Sequence, residues 1–367
     1  MFVPESSGLA LCVALLSMCC WGSWGNSLKV TAGLIRFELF YANFSLAVFL
    51  LATLAAFTLG MLELSGEKGA YTFFEDWKSK PPDRYLYAFA AGLVFNVANL
   101  LLCKGIAMLG LALAFPLCIG TALVLGTLLT YAIQPSGNFL LLLLGVIVAF
   151  SAVCLAAYIE ALKNQQLASA EATVKAPQLS PEEALVALDE LSTRQINAGP
   201  SFVRKILVCI IGGILMGLWN PLVTLAEKSP GLSAYGELFL FTLATLISSL
   251  VLLPTILTWP IEGGASVSIL AVLGEYRQVP LQAHCWSIVG GAVWSVGTLA
   301  NAVAGSSGVL SSAESYAIGQ CANMIAILWG VFFFQEFKGT DWKVKSLLAF
   351  VCLMYAGAIV CITASSQ

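Results

Sequence analysis

From Gly8 to Leu28 the chain carries no charged side chain, and nine further apolar stretches of similar length follow it. The first reaches Lys29, and the others run approximately Leu39–Leu62, Leu86–Leu109, Leu111–Ile133, Asn138–Glu160, Val203–Leu225, Glu237–Thr258, His284–Ala304, Val309–Phe334 and Val344–Ala364. An α-helix needs about 20 apolar residues to cross a bilayer core about 30 Å thick, and these stretches have that length. Charged residues make up only 10% of the chain, where a soluble domain has about a quarter. The expected fold is an all-α polytopic membrane protein with ten transmembrane helices.

The same composition excludes other classes. A net charge of −3 and a pI near 5.3, with no cluster of basic residues, leave no surface for nucleic acid, and a cytosolic enzyme is excluded by the apolar runs. The bilayer is the first partner. The eleven cysteines are scattered, most of them inside the apolar runs, and Cys19-Cys20 is an adjacent pair rather than a C-x-x-C motif. With one histidine in the chain there is no zinc spacing; the cysteines read as small buried apolar residues, and no metal or cofactor is expected. The N-terminus lacks a basic segment and its apolar run continues to Trp24, which reads as a retained first span rather than a cleaved leader.

One long polar stretch, Lys163 to Arg204, divides the chain into residues 1–160, a linker at 161–203, and residues 204–367. Within the linker, Ser180-Pro181-Glu182-Glu183 has the form of a capping box, with Leu185, Leu188 and Leu191 behind it. That pattern predicts a short amphipathic helix, either a spacer or a docking element. Between the second and third spans, Tyr71, Phe73, Phe74 and Trp77 predict an aromatic-anchored interfacial segment.

The two halves resemble each other. Cys20-Trp21-Gly22-Ser23-Trp24-Gly25-Asn26 in the first span is echoed by Met216-Gly217-Leu218-Trp219-Asn220-Pro221 in the sixth. Glu38, Gly92, Asn96, Asn99 and Gly120 find counterparts at a constant offset of 199 in Glu237, Gly291, Ser295, Thr298 and Gly319, while Trp24 and Trp219 are 195 apart. Five spans per copy is an odd number, so the second copy is expected to enter the membrane in the opposite orientation. Such inverted repeats place a transporter's substrate near the bilayer midplane, between the halves. Loops on the N-terminal side hold five Lys and Arg residues against eleven on the other. The positive-inside rule then places both termini outside and the linker in the cytoplasm, with the plasma membrane as the expected location.

Polar side chains inside spans are costly and mark candidate sites. Asn96 and Asn99 share a face of the third span, as Ser295 and Thr298 do in the eighth. Trp294, Thr298 and Asn301 follow i, i+4, i+7, as do Tyr316, Gln320 and Asn323 in the ninth span. Amides that donate and accept, beside the flat indoles of Trp24, Trp219 and Trp294, suit a planar uncharged solute. The binding candidates are therefore Trp24, Asn26, Asn96, Asn99, Trp219, Asn220, Trp294, Thr298, Tyr316, Gln320 and Asn323. The same amides and hydroxyls would equally serve as interhelical hydrogen-bonding glue. Glu314, acidic within an apolar run, is the candidate for proton coupling, with Lys104 as an alternative ion-pair partner. Glu38 and Glu237 stand at span starts, where a helix N-terminus favours an anion, and read as structural. Pro116 and Pro221 are candidate openings in the helical backbone.

Several segments together resemble the ureide permease family of the drug/metabolite transporter superfamily. They are Val3-Pro4-Glu5-Ser6 with Gly22-Ser23-Trp24; Ala55-Ala56-Phe57-Thr58-Leu59-Gly60; Gly110-Leu111 through Gly126-Thr127-Leu128-Leu129-Thr130-Tyr131; and Gln320 with Trp329-Gly330-Val331-Phe332-Phe333-Phe334-Gln335-Glu336-Phe337. The resemblance implies proton-linked uptake of ureides such as allantoin and of nucleobases such as uracil or xanthine. Plant members carry a Walker-like sequence in the central loop; Lys163 to Arg204 has none, so no nucleotide binding is inferred. The expected function is secondary active transport of a small neutral planar solute by alternating access. The alternatives are a monosaccharide carrier of the same superfamily and a non-transporting scaffold or receptor.

Overall fold

A computed structural model describes residues 1–62, 72–78, 80–175, 202–261 and 265–366, the side chains at 111, 112 and 168–175 excepted. The described residues are helical, without a strand. Ten helices are long and apolar enough to span a bilayer: α1 (Ser7–Val30), α2 (Phe37–Met61), α3 (Pro82–Leu109), α4 (Leu113–Ile133), α5 (Phe139–Leu167), α6 (Phe202–Glu227), α7 (Ala234–Thr258), α8 (Leu281–Gly305), α9 (Ser312–Phe333) and α10 (Trp342–Ser365). Every apolar stretch of the sequence is thus a helix, and the chain is an integral, multi-pass membrane protein. Its outer face carries side chains that water would not tolerate in such number, among them Leu140, Leu250 and Phe332, each more than 70% exposed.

Local chemistry sets the helix ends. Ser6, Ser233 and Asp341 accept hydrogen bonds from the first-turn amides of Leu9, Gly236 and Val344. Pro82 sits at the first position of α3, where its missing N–H costs nothing, and Gly110 ends α3 with φ 73°, a conformation that favours glycine. Two spans are interrupted rather than ended. Helix α4 holds a π-turn at Pro116–Gly120, and α9 breaks at Cys321, directly after Gln320. Helix α6 runs unbroken through Pro221, which leaves the Gly217 carbonyl without its usual amide donor.

Two features depart from the sequence reading. The helix beginning at Phe139 continues through Lys175 instead of stopping near Glu160, so it extends into the expected linker. A short helix, Ile269–Tyr276, also lies between α7 and α8, seating Val272 against Leu39 and Leu257. The predicted amphipathic helix around Ser180 and the aromatic Tyr71 lie outside the described residues. Phe73 and Trp77 do form a one-turn helix, packed edge-on against Phe239.

Helix α3 packs against α6 and α7, and α8 packs against α1 and α2. Likewise α4 lies on α6 and α9 on α1, while α5 pairs with α10 and α2 with α7. Glycines bring the inner helices together. A methyl group added at Gly92 would stand 2.0 Å from the Phe241 carbonyl oxygen of α7, and one at Gly291 would stand 2.4 Å from that of Phe44 in α2. One core lies among α1, α4, α5, α9 and α10; the other, rich in aromatic residues, occupies the crossing of α2, α3, α6, α7 and α8.

Candidate substrate-binding site

Where those inner helices cross, the bulkiest buried side chains are aromatic. Trp294 (α8) packs on Phe95 (α3) with ring centroids 4.6 Å apart. Phe44 (α2) and Phe241 (α7) flank Trp294 at 6.1 and 6.2 Å. Trp219 (α6) adds edge contacts to Phe95, Phe241 and Trp21, and Tyr316 (α9) stands edge-on to Trp219 at 5.6 Å. Trp24 borders the group through Phe44 at 5.1 Å. Residues from α1, α2, α3, α6, α7, α8 and α9 thus line one aromatic centre, which brings Trp24, Trp219, Trp294 and Tyr316 together as the sequence suggested.

Around this centre the polar candidates divide into two groups. Asn96 is fully engaged: its Oδ1 accepts from the Tyr41 hydroxyl at 2.8 Å, and its Nδ2 lies within 3.1 Å of the Thr245 carbonyl and the Ser248 and Ser249 hydroxyls. Thr298 donates to the Trp294 carbonyl and accepts from the Trp21 indole. The Asn220 amide donates to Thr130, and the Asn323 amide donates to Tyr355 of α10, which turns it away from the aromatic group. The Tyr316 hydroxyl lies 3.3 Å from the Ala122 and Met216 carbonyls. In this conformation these side chains hold helices together.

The second group has hydrogen-bonding capacity to offer. Gln320 is 8% exposed, and its amide makes no hydrogen bond among the described residues. The same holds for the half-buried Asn26 and for the indole N–H groups of Trp24, Trp219 and Trp294. Asn99 spends its amide on the Tyr41 hydroxyl at 2.9 Å, and its Oδ1 has no partner among the described residues. Buried polar atoms are ordinarily satisfied; the free Asn99 oxygen, joined to the centre through Tyr41 and Phe44, and the free indole N–H groups of the centre itself are what a planar solute with its own N–H and C=O groups requires.

Glu314 is placed differently from the sequence expectation. It is the third residue of a capping box at the start of α9: Ser311 gives its backbone N–H and its hydroxyl to Oε2, each at 2.8 Å. Ser365 at the end of α10 donates to Oε1 at 2.7 Å. Both carboxylate oxygens are occupied, and the residue caps a helix end rather than facing the aromatic centre. The suggested pair with Lys104 is not formed. Three crossings precede the end of α3 and eight precede the start of α9, which puts the two at opposite ends of the bundle. Lys104 instead reaches Glu38 at 3.2 Å, and Arg36 reaches the other oxygen of Glu38 at 3.3 Å.

Sequence reasoning missed Trp21, Tyr41, Phe44, Phe95 and Phe241. Two of them carried a signal: the 199-residue offset applied to Trp294 returns Phe95, and Trp21 lies within the duplicated first-span motif. Tyr41, which links Asn96 to Asn99, follows Glu38-Leu39-Phe40 at the start of α2 with nothing in the sequence to set it apart.

The family model for ureide permeases matches residues 163–365, more than half of the chain. The chain belongs to the ureide permease family. Members of this family are transporters and not enzymes, and this member is a membrane permease of ten spans. Along its whole length it is 25% identical to ureide permease 1 and 24% identical to ureide permease 4 of Arabidopsis thaliana, covering 99% of each. One protein of known crystal structure superposes with a TM-score of 0.60 at 11% identity, over 97% of this permease and 96% of that chain. That likeness is one of fold alone.

Proposed function

We propose that this permease is a secondary active transporter of a small neutral planar solute, a ureide such as allantoin or a nucleobase such as uracil or xanthine. The solute moves with protons, by alternating access between two inverted five-helix halves. The observation that carries this reading is the aromatic centre with the unpaired Asn99 oxygen and the unpaired indole N–H groups at its border. A ring with alternating N–H and C=O groups lies flat against Trp219, Trp294 or Trp24 and hydrogen-bonds to Gln320, Asn26 or Asn99. The names of the Arabidopsis relatives favour ureides within that class.

The internal pairings support the inverted repeat. Gly92 and Gly291, 199 residues apart, each sit on a carbonyl of the other half. Their neighbours Asn96 and Ser295, at the same spacing, each donate to a further carbonyl across that contact, Thr245 and Val48. Phe95 and Trp294, again 199 apart, meet each other, as residues beside a twofold axis do. Rocking of the halves about this centre is the expected motion.

Radiolabelled allantoin and uracil uptake in a transport-null host tests the proposal. Saturable uptake that Trp294→Ala and Gln320→Ala each reduce at least tenfold, with membrane expression kept, is the expected result. Competition by glucose or ribose and not by uracil would assign the protein to sugar transport. Uptake indifferent to external pH would remove the proton from the scheme.

A further inference from the structure

At the end of the bundle where α6 turns into α7, three acidic side chains gather. Asp76 comes from the segment before α3, Glu227 is the last residue of α6 and Glu237 lies in the first turn of α7. A methyl group at Gly236, next to Glu237, would stand 2.2 Å from an Asp76 carboxylate oxygen, and the Leu232 N–H donates to the Ala226 carbonyl at 2.9 Å, closing the turn that carries Glu227 into α7. Asp76 is fully buried and held by the N-terminus of α7, accepting from the Ser233 amide at 3.0 Å and from the Ser233 hydroxyl.

The two glutamates have no such support. Glu237 is 1% exposed, and its Oε1 is enclosed and without a hydrogen-bond partner. Glu227 is half-buried, but its Oε1 is likewise enclosed and unpartnered. The cations at this corner point elsewhere. Arg84 donates through Nη1 to the Leu225 carbonyl at 2.6 Å and lies 3.9 Å from Asp83. Lys228 reaches the Ile133 carbonyl at 3.2 Å, and Lys78 reaches Glu75 at 2.6 Å. The facing phenols are taken as well, Tyr85 by the Asp76 carbonyl and Tyr235 by the Phe2 carbonyl. Two carboxyl groups at one turn, each with an enclosed oxygen that no donor reaches, do not both carry charge.

We propose that Glu227 and Glu237 hold one exchangeable proton between them, and that this pair is the coupling-proton site of the transporter. The assignment rests on the transport reading above for its role, though not for the existence of the proton. No group of three His, Cys, Asp or Glu side chains among the described residues is spaced for a metal ion, which favours a proton over a multivalent cation. The pair joins α6 to α7, two helices that also line the aromatic centre through Trp219 and Phe241. Loading or emptying it changes the charge at a joint of the helices that must move.

Two measurements decide this. Infrared difference spectra of the purified protein titrated with base should show the carbonyl stretch of a protonated carboxylic acid, lost in Glu227→Gln and in Glu237→Gln. A band unchanged in both variants overturns the shared proton. In proteoliposomes, both variants should keep allantoin counterflow but lose the accumulation that an inward proton gradient drives in the wild type. Accumulation equal to wild type in both, or wild-type accumulation driven by sodium without a pH gradient, overturns the coupling role. Glu237→Asp, which keeps the acid, should keep coupling with a displaced pH profile, and an unshifted profile counts against the pair. A wild type that exchanges no ureide or nucleobase would end the transport reading, while the infrared titration would still decide the proton.

Discussion

Glu38 and Glu237 occupy the same place in their helices and have opposite surroundings. Each lies in the first turn of its span, in the sequence Glu-Leu-Phe, and an odd number of crossings separates them, so they stand at opposite ends of the bundle. Glu38 is held between Lys104 and Arg36, beside a groove of about 410 Å³ lined by Arg36, Leu39, Glu275 and Gln278. Glu237 is enclosed beside another acid, with an oxygen that nothing satisfies. A helix N-terminus favours an anion equally in both. What differs is the partner, and the role differs with it. One carboxylate is a fixed strut, and the other is free to change charge.

The most damaging way to break this contrast is to remove the Glu38 partner. Lys104→Met leaves a carboxylate only 8% exposed with Arg36 alone, and it also removes the ammonium that lies 5.3 Å from the centre of the Phe37 ring. Breaking a buried pair costs about 3–5 kcal/mol, and the partly exposed Arg36 places this case near the lower end. A large drop in the melting temperature in detergent is expected, most of it recovered in Lys104→Met/Glu38→Gln. Glu237→Gln, by contrast, should leave the melting temperature unchanged or raise it, because it relieves an acidic pair. Equal destabilisation by Lys104→Met and Glu237→Gln would make the two corners alike.

The two halves are also compared at their closest contacts. Gly92→Ala and Gly291→Ala each drive a methyl group into a helical carbonyl, at 2.0 and 2.4 Å, and backbone cannot swing aside as a flexible side chain would. Overpacking of this kind costs about 1–3 kcal/mol. Both variants should melt lower, Gly92→Ala the more so; a neutral Gly291→Ala would mean that the second contact tolerates a wider separation. Below these stands Glu314→Gln. It loses part of a capping box and weakens the bond from Ser365, a change of about 1 kcal/mol. Its proton-driven accumulation, measured beside that of Glu237→Gln, separates a cap from a proton carrier: complete loss of coupling in a fully stable Glu314→Gln would return that role to Glu314.

Much of this was legible in the chain. Ten spans followed from run length, because hydrocarbon thickness sets helix length independently of packing. Trp24, Trp219, Trp294 and Tyr316 could be drawn together because bulky aromatic residues inside spans must face one another or lipid. The use of each amide could not be read. Asn96 and Asn99 share one helix face, yet three acceptors of α7 and the Tyr41 hydroxyl consume the first and leave an oxygen of the second unpaired. That depends on which neighbour α7 presents, a tertiary fact. The acidic corner was hidden for a similar reason: Asp76 is far along the chain from Glu227 and Glu237, and Glu237 stands in a first helical turn, where an acid needs no special account. The misplaced Glu314–Lys104 pair, however, was within reach of the sequence, since the number of crossings between the two residues already sets them at opposite ends of the bundle.

An exposed acid sets the lower bound of the comparison. Asp341 caps α10, and the Val344 backbone N–H, with help from Gln166, holds its carboxyl below the usual aspartate range. A carboxyl whose pKa is lowered on folding adds stability that is fully present above its unfolded pKa and is lost as pH falls through the folded value. At neutral pH this contribution is therefore intact. Asn caps nearly as well as Asp, so Asp341→Asn should leave the melting temperature near pH 7 within error of the wild type. It should also flatten the decline seen on acidification below the ordinary aspartate range. Melting curves of Asp341→Asn and Glu237→Gln over the same pH series then separate the two kinds of acid. The first should differ from wild type only in acid, where a capped surface carboxylate takes up its proton. The second should differ wherever the enclosed pair exchanges its own. If both variants depart from wild type over the same acidic range, burial has given Glu237 no special chemistry, and the contrast with Glu38 reduces to one of packing.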